Sequence, residues 1–429
     1  MPIQSDLRCS FMLSLLIFLA ALSSTSNIVS AEPASTAEQR QSEAKAENYK
    51  AAAAYNAANK GVSFLIIKDD KVIFQDYPNG SSADKAFELA SGTKSFNGIA
   101  AIAAEEDGLL KLDEKVSDTI SEWKNDPQRS AITIRQLLTL SSGIKGTVGN
   151  CPTYEKALSA PITAAPGELF QYGAEPFQIF GELMRRKLKK SNETELDYLK
   201  RRVFNPIGMR ITHWRADADG MPRMPQGAQL SATEWAKFGE FVLHKGNFQG
   251  KQLIAPERFE VLFQGTKANP MYGLTWWLNK PIDPQLRSSI RVLTANNDFQ
   301  PGDGIGNDVA MAAGAGYQRL YLIPSKKMVV VRQATGIAEN LMGKRGNFSD
   351  SNFLHLVLYG TPSITASKQS TAKGEVTGQS ASDRREKIRQ RFRQRLQEMK
   401  QDGSLTDEQR QTLRKRFSEV RNARQIEGN

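Results

Sequence analysis

Cysteine is almost missing from this 429-residue chain: there are two, Cys9 and Cys151. A disulfide framework is therefore excluded, and the fold has to rest on its apolar core. Histidine is nearly as scarce. His213, His244 and His355 are scattered, with no H-E-x-x-H or other ligand spacing, so no metal centre is expected. A glycine-rich phosphate loop is absent, as is the G-x-S-x-G elbow of the alpha/beta-hydrolases; the chemistry calls for no cofactor. Long apolar runs are missing too, apart from residues 11–22 (FMLSLLIFLAAL). Arg8 precedes that run and the small residues Val29-Ser30-Ala31 follow it, and it is too short to span a bilayer comfortably. Residues 1–31 therefore read as a secretory signal, and the mature chain as periplasmic or extracellular.

The charge is lopsided. Of the net +11, residues 383–429 contribute 14 Lys and Arg less 8 Asp and Glu, or +6. Residues 361–382 are polar and small, and read as a flexible linker. Beyond them, two amphipathic helices are expected over 384–400 and 406–424. Ile388, Phe392, Leu396 and Met399 line one, and Leu413, Phe417 and Val420 the other, which opens with a Thr406-x-x-Gln409 capping box. Aromatics do not interleave the basic residues, so nucleic acid is not expected as a partner. An anionic envelope surface or a protein partner suits the tail better.

What is present between these ends is a core-sized body, with 40% of the chain hydrophobic. A helix is expected over 37–59. Strands follow at 62–68 and 72–75 around a tight Asp69-Asp70-Lys71 turn, then a buried helix at 93–106. The middle reads as mostly helical, with segments at 134–140, 176–188, 193–204 and 232–244. Strands return at 318–323 and 328–333, joined through Pro324-Ser325-Lys326-Lys327. Strands at both ends with helices between imply an α+β fold: one antiparallel sheet whose halves meet, with an inserted helical region.

The candidate chemistry lies in Ser91-Gly92-Thr93-Lys94, at the entry to the buried helix. A serine hydroxyl is a weak nucleophile until a base takes its proton. A residue three positions on lies on the same helical face, so the Lys94 amine can reach Ser91 Oγ. Burial and the positive end of the helix dipole both favour the neutral amine that such a base requires. The N–H groups at the same helix end can hold an oxyanion.

The surroundings make the motif specific. Glu88-Leu89-Ala90-Ser91-Gly92-Thr93-Lys94-Ser95-Phe96, then Gly108-Leu109-Leu110-Lys111-Leu112-Asp113, then Ile132-Thr133-Ile134-Arg135-Gln136-Leu137-Leu138-Thr139-Leu140-Ser141-Ser142-Gly143 resemble the serine beta-lactamase and penicillin-binding protein superfamily. The likeness is closest to its esterase and class C beta-lactamase branch, which includes hydrolases of small amide oligomers, and runs from about Tyr49 to Tyr359. It implies a beta-lactamase/DD-peptidase-type domain, taken over residues 32–360; the linker (361–382) and the basic helical hairpin (383–429) read from composition follow it. It also implies three conserved elements. S-x-x-K is intact. The Tyr-x-Asn element falls at Tyr172-Gly173-Ala174, where Tyr172 matches the proton-shuttling phenol and Ala174 replaces the asparagine. The Lys-Thr-Gly element, expected on an edge strand, falls at Ala312-Ala313-Gly314 and keeps only the glycine. The Ala315 N–H would then be the second oxyanion donor.

Plainer readings stand beside these. Tyr172 could be a core tyrosine, and Gly314 and Gly316 could simply permit close strand packing. Ser141-Ser142-Gly143 ends a helix, and Asp113 caps or salt-bridges near the next one. The expected activity is hydrolysis of a small ester or amide by Ser91, Lys94 and Tyr172. The alternatives are a penicillin-binding D-alanyl carboxypeptidase or beta-lactamase, and a catalytically silent cell-wall-peptide binder.

Overall fold

The computed structural model describes residues 37–290, 304–344 and 346–363. The expected signal segment, the tail hairpin and the linker beyond Ser363 lie outside the described residues. The chain divides at residue 43 into two units, and the first reaches the described residues only as the beginning of α1 (Ala37–Ala58). All that follows concerns the second. Its helices continue with α2 (Lys94–Glu106), α3 (Ile134–Leu138), α4 (Tyr154–Leu158), α5 (Glu175–Lys187), α6 (Glu195–Leu199) and α7 (Ala232–Leu243); among the described residues, short helices at Ile337–Leu341 and Asp350–Tyr359 come last. The strands are β1 (Gly61–Lys68), β2 (Lys71–Asp76), β3 (Phe87–Glu88), β4 (His213–Trp214), β5 (Ala228–Leu230), β6 (Asn247–Phe248), β7 (Lys251–Gln252), β8 (Trp277–Leu278), β9 (Ala310–Gly314), β10 (Gln318–Ile323) and β11 (Met328–Ala334). No described helix is long and apolar enough to cross a membrane.

The main sheet runs β2-β1-β11-β10-β9-β8, all antiparallel, so the early strand β1 and the late strand β11 meet in its middle. Asp69 and Asp70, both at positive φ, close the β1–β2 hairpin, and Lys71 already pairs with Lys68. The apolar run of β1 is buried along nearly its whole length because both faces are covered. On one side Phe64 meets Phe74 and, edge-on, Phe353 of the last helix, with ring centres 5.1 and 5.0 Å apart. On the other side α7 lies close against the sheet. A Cβ on its Gly239 would come within 2.7 Å of Val329 and 2.8 Å of Leu320.

Helix α2 is buried on every side from Lys94 to Ala104, as its small, apolar sequence anticipates. Gly98 lets it press against Leu274 and Thr275, while Phe96 packs against Phe204, Phe238 and Trp214. A short ladder, β3-β5-β4, lies beside its entrance. Two- and three-residue strands carry no alternation to read, so this ladder was not expected from the sequence. Asp113 makes the expected ion pair, a two-pronged one to Arg135 on α3 (2.7 and 2.8 Å).

One expectation is corrected. The strand bearing Ala312-Ala313-Gly314 is not the edge of the sheet, because β8 lies outside β9. However, β8 pairs only with Met311 and Ala310, so β9 runs on unpaired on that side from Ala312.

Candidate active site

Ser91 sits in a single 3-10 turn, Ala90–Thr93, leading into α2. The turn begins at Ala90 with φ +46°, an unfavourable conformation for a residue with a Cβ, which persists only where surrounding contacts impose it. Here they are dense. Leu89 N–H donates to the Ala228 carbonyl on β5 (3.0 Å), Thr93 Oγ1 donates to the Ala90 carbonyl (2.7 Å), and the Ala228 N–H donates back to Thr93 Oγ1 (3.2 Å). The result is a half-buried serine on a rigid corner.

Lys94 is the first residue of α2 and only 3% exposed. Its Nζ lies 3.0 Å from Ser91 Oγ and donates to the Pro225 carbonyl at 3.2 Å. The amine also sits over the rings of Tyr172 and Phe177, 4.9 and 5.3 Å from their centres. Burial pulls its pKa down to about 7, against the upward pull of Cys151 and Glu175. The Cys151 thiol is itself pushed up to about 12 by burial and is uncharged at neutral pH, so Glu175 is the opposing charge that remains. Its carboxylate is occupied by the N–H (2.7 Å) and hydroxyl of Thr147.

Tyr172 lies at the same serine: its ring is beneath the Lys94 amine, and the Ser91 side chain acts on its hydroxyl. Burial raises its pKa to about 12, with the Ser91 hydrogen bond and the positive charge of Arg319 acting the other way. The ring is fixed by a cluster of aromatics, with centres 5.5 Å from Trp277 and 6.4 Å from both Phe170 and Tyr272. Ala174, expected from the resemblance to replace the asparagine, is buried at the start of α5 and donates its N–H to the Thr147 carbonyl (3.1 Å).

Strand β9 supplies the third wall. A Cβ on Gly314 would fall 2.0 Å from the Leu89 carbonyl oxygen and 3.1 Å from Gly92 N, so only glycine allows β9 to lie against the serine turn. Ala312 is buried, whereas Ala313 and Ala315 are half-buried. Among the described residues, neither the Ser91 N–H nor the Ala315 N–H donates to a backbone carbonyl. The structure thus brings together Ser91, Lys94, Tyr172 and Gly314. Ala315 belongs to the turn joining β9 and β10. His213, His244 and His355 join no group of potential metal ligands among the described residues.

Sequence reasoning missed four parts of this surrounding: the Pro225 carbonyl, Glu175, Cys151 and Arg319. Only Arg319 left a signal, as an arginine inside the apolar strand Gln-Arg-Leu-Tyr-Leu-Ile.

Comparison with known proteins gives the family and the fold. The Beta-lactamase family model matches residues 46–336, and the chain belongs to that family, within the beta-lactamase-like serine hydrolase superfamily. Among curated proteins it resembles Protein flp of Staphylococcus aureus, strain MW2, at 28% identity over 176 residues, 36% of this chain and 35% of that one. It thus spans about a third of the length of that relative. Among solved structures it resembles a putative 6-aminohexanoate-dimer hydrolase from Bacillus anthracis, with TM-score 0.53 and 18% identity over 67% of this chain and 78% of that one. It also resembles a penicillin-binding protein homologue from Caulobacter crescentus, with TM-score 0.55 and 15% identity over 73% and 96%. At these identities the likeness establishes the fold.

Proposed function

We propose that this protein is an exported serine hydrolase that opens small ester or amide substrates through an acyl-enzyme on Ser91. The observation that carries this reading is the buried Lys94 amine, 3.0 Å from Ser91 Oγ and with a pKa of about 7. A neutral amine donates one N–H to the Pro225 carbonyl and keeps its lone pair for the Ser91 proton. As that proton leaves, Ser91 Oγ bonds to the substrate carbonyl carbon, and the carbonyl π electrons move onto oxygen. The N–H groups of Ser91 and Ala315 receive that oxyanion. Tyr172 delivers a proton to the departing alcohol or amine as the carbon–heteroatom bond breaks, and regains one from Lys94, which holds the proton taken from Ser91. Water then attacks the acyl carbon and gives a proton to the neutral Lys94 amine, and the acid leaves as the Ser91 Oγ–carbon bond breaks and Ser91 Oγ takes that proton from Lys94.

The substrate should be uncharged near the scissile bond. Ala312 and Ala313 offer neither the cation nor the hydroxyl that would meet a carboxylate, and Ala174 offers no amide. Export rests on residues 1–31, and the basic tail would act as a tether to an anionic surface or a protein partner.

An alkyl fluorophosphonate tests the reading, because only an activated serine displaces its fluoride. Stoichiometric labelling should map to the peptide containing Ser91. An unlabelled protein would instead be a silent binding module, and a label on another serine would mean a different active site.

A further inference from the structure

Two fully buried arginines lie beneath the turn that joins β9 to β10, and the proposed reaction makes no use of them. Arg319 on β10 and Arg332 on β11 are 1% and 0% exposed and are register partners in the sheet. Arg319 Nη1 donates to the carbonyls of Gly314 (3.0 Å) and Gln318 (3.1 Å). Its Nε and Nη2 donate to the two oxygens of Asp350 (2.6 and 3.1 Å), at the start of the last helix. Arg332 Nη1 donates to the Tyr317 carbonyl and Nη2 to the Asn59 carbonyl (both 2.7 Å), and its guanidinium lies over the Phe348 ring at 3.8 Å. The turn is therefore held by its own carbonyls at both ends, by groups whose planar forks fix direction as well as distance.

Stability alone does not account for this. Burying two cations is expensive, and apolar residues of similar volume usually stabilise a core at least as well. The geometry shows what the arginines control. Gly314 touches Leu89 and Gly92, so any shift of the turn changes its separation from the serine corner. The positive charge of Arg319 also acts on Tyr172.

We infer that Arg319 and Arg332 are positioning residues of the reaction, clamping residues 314–317 so that the Ala315 N–H meets the oxyanion formed at Ser91. This rests on the acyl-enzyme reading above. A displacement of an oxyanion donor by about 1 Å costs on the order of 10²-fold in rate while leaving ground-state binding largely intact.

The test uses the full chain, an aryl ester substrate and an aryl boronic acid, which forms a tetrahedral adduct on an activated serine. Arg319→Lys keeps the charge but loses the fork, and Arg332→Gln releases Tyr317. Each should lower kcat about 10- to 100-fold with KM within about twofold, and weaken boronate binding in proportion to kcat/KM. Tyr198→Phe, which loses only the hydrogen bond to Asp107 (2.6 Å), serves as the stability control and should keep its kcat. Folded clamp variants with kcat within twofold of wild type, a loss confined to KM, or unchanged boronate affinity would each overturn the inference. If Arg319→Lys does not fold, Arg332→Gln and Asp350→Asn decide by the same criteria. Failure of fluorophosphonate to label wild-type Ser91 would instead remove the acyl-enzyme reading, and the clamp with it.

Discussion

The burial that would make Lys94 the base of the proposed reaction also weakens the fold at neutral pH. The folded pKa of Lys94 is about 7 against an ordinary 10.5. Between those values the unfolded chain binds a proton that the folded chain does not, so stability rises with pH across that window. Lys94→Met should therefore be more stable than wild type by a few kcal/mol at pH 7, on the order of the shift's worth, and should lose that gain above about pH 10.5. Denaturant unfolding at the two pH values checks this; an equal gain at both would mean that packing, not charge, is responsible. Activity should show the complementary dependence, with kcat/KM rising as pH passes through about 7 and Lys94 loses its proton. Ser91→Ala should abolish acylation. Lys94→Ala and Lys94→Arg should be similarly inactive, since a guanidinium stays protonated. Tyr172→Phe should cost about 10²–10⁴-fold. Combining the changes should add little beyond the worst single one, because the three groups serve one proton path. Near-normal turnover by Lys94→Ala would remove Lys94 from that path.

Each element at the site is shaped by a neighbour that approaches very closely, and glycine marks where. Gly314→Ala would push a methyl group into the Leu89 carbonyl and force β9 off the serine turn. A loss of at least about 10²-fold in kcat is expected, with a stability cost of about 1–3 kcal/mol for the overpacking, measured by steady-state kinetics and thermal melting. Retained activity would show that the turn tolerates displacement. The long elements were legible in the sequence because their signals are long. The small-residue helix after Ser91 and the apolar strands flanking Pro324 are where the sequence implies them. The Ser91–Lys94 contact followed from spacing alone. The position of Tyr172 needed the family likeness, since nothing in Phe-Gln-Tyr-Gly distinguishes a proton relay from a core phenol. Pro225 and the short β3-β5-β4 ladder were not legible. A backbone carbonyl contributes chemistry whatever its side chain, and so leaves no trace in residue type. The edge-strand expectation failed for a related reason: β8 is only Trp277–Leu278, too short to announce itself, yet it pairs with the outer side of β9 at Ala310 and Met311.

For the molecule as a whole, the family likeness leaves substrate preference open, and the alanines make it a testable quantity. Cephalosporin turnover should be far below aryl-ester turnover, and comparable rates would mean that Ala312-Ala313-Gly314 is not the strand that meets substrate. The composition boundary also shifts slightly. Ser363 is 2% exposed and its N–H is held by Asn352 Oδ1 (2.8 Å), so the fold continues past Gly360. A chain ending just after Ser363 should keep full esterase activity. A folded but inactive product would assign the tail to the active site. The pairing of β1 with β11 has a consequence in time. Gly61 finds its partner in Ala334, so the middle of the sheet cannot zip until almost the whole domain has been synthesised. Closing so long a loop is slow, because its entropy is lost before the ladder repays it. Until β11 emerges β1 lacks its central partner, so the export proposed above would act on a chain whose main sheet is still open.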